Sequence, residues 1–196
     1  MGNAKQAASF YTSRFGFEYF AYKGLETGER NVASHAVKNH EGTIFVLCSV
    51  YHDNSSETMN NHLIQHGDGV RDVAFTVDDA TAIYEYSVKN GATSVHAPYK
   101  LEDKNGYVIL STIKTYGDTT HTFIERKNYN GLFLPGFEPH YHKEILNQSF
   151  NPVKFEKVDH IVGNQPDLKM EEAVKFYEKC LGFHRFWSID DKMLHT

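Results

Sequence analysis

An internal repeat constrains the fold of this chain more than any other feature of the sequence. Near both ends, a helical pattern with an aromatic pair is closed by a glycine and followed by an aromatic-rich, strand-like stretch. Phe10-Tyr11 precedes Gly16 in one copy, and Phe176-Tyr177 precedes Gly182 at the same spacing in the other. Glycine is the usual residue just past a helix C-terminus. The repeat therefore predicts that the chain is built from copies of one supersecondary unit.

A more diverged copy between these two shows the whole unit. Residues 70–77 alternate as a strand, Asp78-Asp79 supplies N-cap side chains, and an apolar stripe from Ala80 to Val88 predicts a helix. Three further strands are predicted at residues 93–99, 107–114 and 119–127. The first copy continues in the same way through strands at residues 31–38 and 43–50. The predicted unit is therefore βαβββ, and the fold class is α+β.

The repeat also predicts the domain organisation. Two units form a first domain over residues 1–129, and residues 130–154 are predicted to be a linker. A second domain begins over residues 155–196 and reaches little beyond its first strand, at residues 157–162, and the helix and strand that follow. The first copy has only Met1 where that opening strand would stand. We therefore expect a fragment, with a first domain that lacks its opening strand and a second domain that is incomplete.

Composition narrows the class of protein. The chain is 40% hydrophobic and 23% charged with a net charge of −5, which is typical of a soluble globular protein. Neither a nucleic-acid footprint nor a membrane-binding surface is predicted, because the charges are mixed and no apolar run could span a bilayer. Cys48 and Cys180 stand far apart and form no disulfide framework. This usage favours a reducing, cytoplasmic location.

His160 is the strongest candidate metal ligand. In the predicted strand, alternation places its side chain on one face with Val158 and Val162, while Asp159 points to the other face. A histidine on the inner face of a curved sheet could present a ring nitrogen to a metal ion. From the residues alone, a hydrogen-bonded core histidine explains the same pattern, and both interpretations stay open.

Six stretches in order along most of the chain carry a family resemblance. They are GLETG at 24–28, HGDGVRD at 66–72, TYGDTTHT at 115–122, FLPG at 133–136, VDHIVGNQPD at 158–167 and FHRFWS at 183–188. Together they resemble the 4-hydroxyphenylpyruvate dioxygenases of the vicinal-oxygen-chelate superfamily, whose modules are βαβββ units. Glyoxalases and extradiol dioxygenases are built from the same module but do not share these six sequence motifs.

This resemblance implies an Fe(2+) enzyme of tyrosine and phenylalanine catabolism. His160 would be the first histidine of a two-histidine, one-carboxylate iron site, a set that leaves coordination positions open for the keto acid and O₂. The substrate 4-hydroxyphenylpyruvate would be decarboxylated and ring-hydroxylated to homogentisate. The other iron ligands and the substrate-contacting residues would lie beyond residue 196. We therefore expect the chain alone to be inactive, and the full-length enzyme to be a homodimer.

Two other functions stay open. A hydroxymandelate synthase uses the same substrate and iron but hydroxylates the side chain, and a truncated product could serve as a non-catalytic binding or scaffold module. Glu125 resembles the carboxylate that proteins built from this module place on their last strand as a metal ligand. Its partner would be Asp72, which occupies the position of His160 when the repeats are aligned. The family's amino-terminal domain holds no metal, so we expect neither to bind one. His66, His96, His121, His140 and His142 have no convincing ligand partners in the sequence.

Overall fold

The order of helices and strands follows the predicted repeat. We describe a computed structural model in which residues 1–143, 145, 153 and 155–188 are defined. The helices are α1 (Ala4–Arg14), α2 (Glu57–His66), α3 (Ala80–Lys89) and α4 (Met170–Leu181). The strands are β1 (Glu18–Lys23), β2 (Val32–Lys38), β3 (Ile44–Val50), β4 (Phe75–Thr76), β5 (Ser94–Asp103), β6 (Gly106–Lys114), β7 (Thr120–Glu125) and β8 (Glu138–Pro139).

The chain forms two compact units, each built from separate stretches of sequence. The first unit contains Met1–Gly69, Glu102–Gly106 and Tyr129–Val162, and the second contains Val70–Leu101, Tyr107–Asn128 and the segment from Gly163 onward. The units do not coincide with the predicted division at residues 129 and 155. The domain boundaries themselves stay a prediction.

A four-stranded sheet with the order β3-β2-β1-β8 forms the first unit. Helix α1 covers one face of this sheet, where Ala4 and Ala8 are fully buried against Phe17, Val37 and Leu47. Two alanines one turn apart let the helix backbone approach the sheet closely, because their side chains are small. Asn3 caps the helix by accepting a hydrogen bond from the backbone N–H of Gln6 at 2.9 Å.

Part of the predicted linker packs against the first sheet. Phe133 is buried with Ala21 and Ala36, and Phe137 packs against the same cluster. Strand β8 then pairs antiparallel with β1. Residues 133–139 are therefore packed instead of forming an open linker. Residues 144, 146–152 and 154 of the predicted linker lie outside the described part of the chain.

The second unit is a complete βαβββ module. Its sheet has the order β4-β7-β6-β5, with β4 parallel to β7, and α3 connects β4 to β5. Ile113 and Phe123 are buried beneath α3 together with Ala80. Helix α4 joins the same core through Cys180, which is 3% exposed. As predicted, Gly182 ends this helix, with a φ of 68°.

Three expectations about secondary structure are corrected. Only Phe75–Thr76 of the strand predicted at residues 70–77 is regular, although Asp72 forms an isolated bridge with Thr120. Helix α2 was not predicted, because it buries no residue and has no apolar stripe; its signal is the N-cap Ser56. No strand forms at residues 157–162 or 183–187.

The missing strands have a physical cause. A strand is stable only when its backbone N–H and C=O groups pair with a neighbouring strand, and no described strand lies beside either segment. Their apolar side chains are accordingly exposed, among them Val158, Ile161, Val162, Phe186 and Trp187. Apolar alternation was therefore not sufficient evidence for a strand at these two places.

Candidate metal centre

His160 lies in the irregular segment of the first unit. Its side chain is 72% exposed, and that of Asp159 is 81% exposed. His160 Nδ1 lies 2.7 Å from Asp159 Oδ2, so the Nδ1–H group donates a hydrogen bond to the carboxylate. The expectation that these two side chains point to opposite faces is wrong, because no strand forms here to impose the alternation.

The contact with Asp159 suits a metal-binding role. When Nδ1 carries the proton of a neutral imidazole, Nε2 keeps its lone pair and can bind a cation. Metal-binding histidines commonly donate the other ring N–H to a carboxylate, which orients the ring. His160 and Asp159 have this arrangement already. The assignment of His160 as a metal ligand stays a prediction.

A complete iron site is not present in the described residues. Nowhere in these parts of the chain do three His, Cys, Asp or Glu side chains come together in a way that could hold a metal ion. Fe(2+) in the predicted site needs two imidazoles and a carboxylate, and His160 with Asp159 supplies one ring and a hydrogen-bond acceptor. The residues described here therefore do not fit the full metal site.

Glu125 serves the fold of the second unit. It is 6% exposed, and its Oε2 accepts a hydrogen bond from the backbone N–H of Ala80 at 3.2 Å. Its Oε1 lies 2.9 Å from the Lys127 ammonium group. The first backbone N–H groups of a helix have no partner within the helix, so a carboxylate at this position stabilises α3.

Asp72 and Glu125 cannot share a metal ion. The Asp72 carboxylate accepts hydrogen bonds from the hydroxyl groups of Thr120 and Thr122, at 2.5 and 2.9 Å. Thr120 and Thr122 alternate along β7 with His121 and Glu125, so the two sets of side chains lie on opposite faces of the sheet. Asp72 and Glu125 therefore face away from each other.

Two buried histidine pairings were missed in the sequence. His121 Nδ1 donates to the Val73 carbonyl at 2.7 Å, and His121 Nε2 accepts from the Tyr177 hydroxyl group at 3.0 Å. Burial lowers the pKa of His121 and raises that of Tyr177. In the first unit, His35 Nδ1 lies 3.1 Å from His140 Nε2. The apolar neighbours of His35 along β2 could have indicated that it is buried, but its contact with His140, 105 residues later, depends on the tertiary fold.

No family model matches the chain. A 4-hydroxyphenylpyruvate dioxygenase from Tetrahymena thermophila is 52% identical over the whole chain, and one from Caenorhabditis elegans is 50% identical. A third from Xenopus tropicalis is 49% identical, again over the whole chain. The chain is thus similar to 4-hydroxyphenylpyruvate dioxygenases along its whole length. It spans about half the length of each of these relatives, between 49% and 50%.

Solved structures identify the fold. A substituted 4-hydroxymandelate synthase from Streptomyces coelicolor superposes with a TM-score of 0.73 at 19% identity, covering 93% of this chain and 50% of that protein. Methylmalonyl-CoA epimerase from Mycobacterium tuberculosis has a TM-score of 0.50 at 13% identity, and covers 64% of this chain. Sequence identities this low show the fold alone. The chain has the predicted vicinal-oxygen-chelate fold.

Proposed function

We propose that this chain is part of an Fe(2+)-dependent 4-hydroxyphenylpyruvate dioxygenase. The reaction would be the oxidative decarboxylation and ring hydroxylation of 4-hydroxyphenylpyruvate to homogentisate, in tyrosine and phenylalanine catabolism. The observation that carries the proposal is the 52% identity to the Tetrahymena thermophila dioxygenase along the whole chain. The 4-hydroxymandelate synthase supports the fold but not the alternative product, since its identity to this chain is 19%.

His160 is the residue of this chain that we propose for the metal. Its Nε2 would bind Fe(2+), and Asp159 would hold the ring in the required tautomer through the 2.7 Å hydrogen bond at Nδ1. Iron bound to such a site supplies oxidative chemistry with O₂. The other ligands would come from the part of the relatives that has no counterpart in this chain.

The assembly and the location of the protein are also part of the proposal. We infer a homodimer in the cytoplasm for the enzyme at the length of its relatives. Among the described residues, no helix is both long and apolar enough to cross a bilayer. Light scattering coupled to size-exclusion chromatography on the hybrid described below would give its mass directly, and a monomer would contradict the dimer.

A hybrid enzyme tests the activity. We would join this chain to the part of the Tetrahymena thermophila dioxygenase that lies outside the match, and measure O₂ consumption and homogentisate in the presence of Fe(2+). The hybrid should form homogentisate. His160→Ala should reduce turnover at least about a hundredfold. Replacing a residue that only hydrogen-bonds to a metal ligand already lowers metal affinity or activity by about 10–100-fold, so loss of the ligand itself should have a larger effect.

Two control substitutions distinguish loss of the metal ligand from loss of other carboxylates in the chain. Asp159→Ala should lower turnover less than His160→Ala, and excess Fe(2+) should restore part of it, because only the orientation of the ring is lost. Glu125→Gln should leave turnover nearly unchanged when measured below its unfolding temperature. Full activity in the His160→Ala hybrid would exclude the ligand assignment. Hydroxymandelate as the product would favour the sister enzyme.

A further inference from the structure

A small cavity in the first unit is lined by residues that the proposed iron site does not use. It has a volume of about 100 Å³, and its lining consists of Lys5, Ser9, Tyr19, His35, His140, Tyr141 and His142. Each of these side chains can donate a hydrogen bond, and none carries a carboxylate. The lining therefore favours a ligand that accepts hydrogen bonds and carries negative charge.

The fold holds the two central imidazoles in place. His35 lies on β2 and is 4% exposed, and its Nδ1 is 3.1 Å from His140 Nε2. The His140 ring stacks on Tyr19 with their centroids 4.3 Å apart. His140 Nδ1 accepts a hydrogen bond from the backbone N–H of His142 at 3.1 Å. His140 is thus positioned through its ring face and both nitrogens.

These contacts determine where the protons are. Because His140 Nδ1 is an acceptor, the proton of the neutral ring is on Nε2, which donates to His35 Nδ1. The proton of neutral His35 is then on its own Nε2. Among the described residues, no hydrogen bond to His35 Nε2 is found, so this buried ring retains a donor.

The charged side chains that act on the pair are the Lys5 ammonium group and the Glu26 carboxylate. Burial lowers the pKa of His35 and that of His140, the latter to about 4. Lys5 lowers both pKa values further, and His142 adds to the effect on His140. The opposing carboxylate, Glu26, raises the pKa of His35 only weakly and is itself bonded to the Tyr22 hydroxyl group at 2.5 Å. An anion in the cavity would therefore pair with the Lys5 ammonium group.

We propose that this cavity binds a small oxyanion, a carboxylate or phosphate group, between the Lys5 ammonium group and the Nε2–H group of His35, while His140 holds the His35 ring in place. A bound anion stabilises the protonated imidazoles, so it raises their pKa values and binds more tightly as the pH falls. A divalent cation fits less well. Lys5 would repel it, and in the described parts of the chain no three ligand side chains come together for a metal ion.

The test is a titration of the full chain followed by NMR of the histidine ring signals. Inorganic phosphate and acetate would be added separately at constant ionic strength, at a pH of about 7.5 and at a pH of about 5.5, which is closer to the lowered pKa values of His35 and His140. The ring signals of His35, His140 and His142 should shift saturably. Acetate, which keeps its charge at both pH values, should bind more tightly at the lower one, whereas phosphate gains a proton between them and is compared at each pH separately. Saturation with phosphate alone, acetate alone or both supports the proposal and identifies the group.

Matched variants make the result specific. Lys5→Met should weaken binding by at least about fivefold, the size expected for one charge near a protein surface. Lys5 is exposed, so this variant should keep the far-UV circular dichroism of the parent chain. Lys89→Met, at another exposed helical lysine, should bind like the parent chain.

Three outcomes would overturn the proposal. They are shifts that grow linearly to the highest concentration, equal binding by the Lys5→Met variant, and a saturable response to Zn²⁺ without one to either anion. The last result would make the histidine cluster a metal site.

Discussion

At the scale of single residues, burial decides what a titratable side chain does in this protein. Glu125 and His121 are both buried on one face of β7, and every contact found for them supports the second unit. His160, in contrast, is exposed, and within the described parts of the chain its one hydrogen bond is to the neighbouring Asp159. A buried carboxylate with two partners is therefore a structural group here, while the exposed histidine stays available to a ligand.

Glu125→Gln should lower the free energy of unfolding by roughly 1–2 kcal/mol, since a carboxylate at a helix N-terminus contributes about that much when partly buried. The loss comes from the weaker bond to the Ala80 N–H group, since Lys127 is 63% exposed and its ion pair is screened. Urea unfolding followed by circular dichroism would measure the change. Glu85→Gln, on the exposed face of α3, is the matched control and should stay within about 0.5 kcal/mol. Equal effects of the two substitutions would contradict this role for Glu125.

His121 should make stability depend on pH. Burial lowers its pKa in the folded state, so the folded protein binds fewer protons than the unfolded chain just below the usual histidine pKa of about 6.5. The stabilisation is present above that pH, and it is lost as the pH falls toward the lower folded-state pKa. The free energy of unfolding, measured in urea across this range, should fall less steeply in His121→Gln than in the parent chain. His96→Gln, an exposed histidine, should follow the parent curve. Parallel curves for His121→Gln and the parent would exclude the effect.

At the scale of helices and strands, capping side chains and neighbouring strands decide which segments form regular structure more than the apolar pattern does. Helix α3 is well defined because Asp79 Oδ1 accepts hydrogen bonds from the backbone N–H groups of Thr81 and Ala82, at 3.0 and 2.8 Å. Residues 157–162 have an equally clear apolar alternation and yet form no strand. Local side chains can satisfy a helix terminus, whereas a strand depends on a partner elsewhere in the chain.

Asp79→Ala should therefore destabilise the second unit by about 1 kcal/mol, the usual effect of removing an N-cap side chain. Asp78→Ala is the matched control, because Asp78 contributes only its backbone carbonyl to the hydrogen bonds found here. Thermal unfolding would show a lower midpoint for the Asp79 variant and an unchanged midpoint for the Asp78 variant. A lower unfolding midpoint for the Asp78 variant than for the Asp79 variant would identify Asp78 as the N-cap residue.

At the scale of the whole molecule, the chain leaves many apolar side chains in contact with water. In the second unit, Leu168, Phe186 and Trp187 are 99%, 94% and 72% exposed, and in the first unit Val162 is 71% exposed. Monomeric soluble proteins rarely expose large contiguous apolar patches, and Phe186 and Trp187 are adjacent in the sequence. The relatives are about twice as long as this chain, and their remaining length offers material that could cover such residues.

Trp187 gives a direct measurement, because it is the single tryptophan of the chain. In the chain alone its fluorescence should be strongly quenched by acrylamide, and light scattering should increase with protein concentration. Phe186→Ser should reduce the scattering. Ile64→Ser removes a side chain that is 83% exposed on α2 of the first unit, and should not reduce the scattering. The hybrid enzyme, made with the relative's own tryptophans replaced, should show weaker quenching of Trp187. A Trp187 already protected from acrylamide in the chain alone would contradict this description.

Much of the fold was determined by local sequence. The helices α1, α3 and α4, their N-cap or C-cap residues and six of the strands follow from periodicity and caps, which act over a few residues. The family resemblance, and with it His160 as the candidate ligand, also comes from sequence strings alone. These features depend on chemistry within one turn or one strand, so they can be predicted before any contact is known.

Only the tertiary structure decided the rest. Strand β8 exists because β1 offers it a hydrogen-bonding edge, and residues 157–162 form no strand because no described strand lies beside them. The opposite faces of Asp72 and Glu125 were decided by the register of β7, and the pairing of His35 with His140 by packing over 105 residues. Such contacts depend on which distant segments meet, and the sequence near each residue carries no record of its partner.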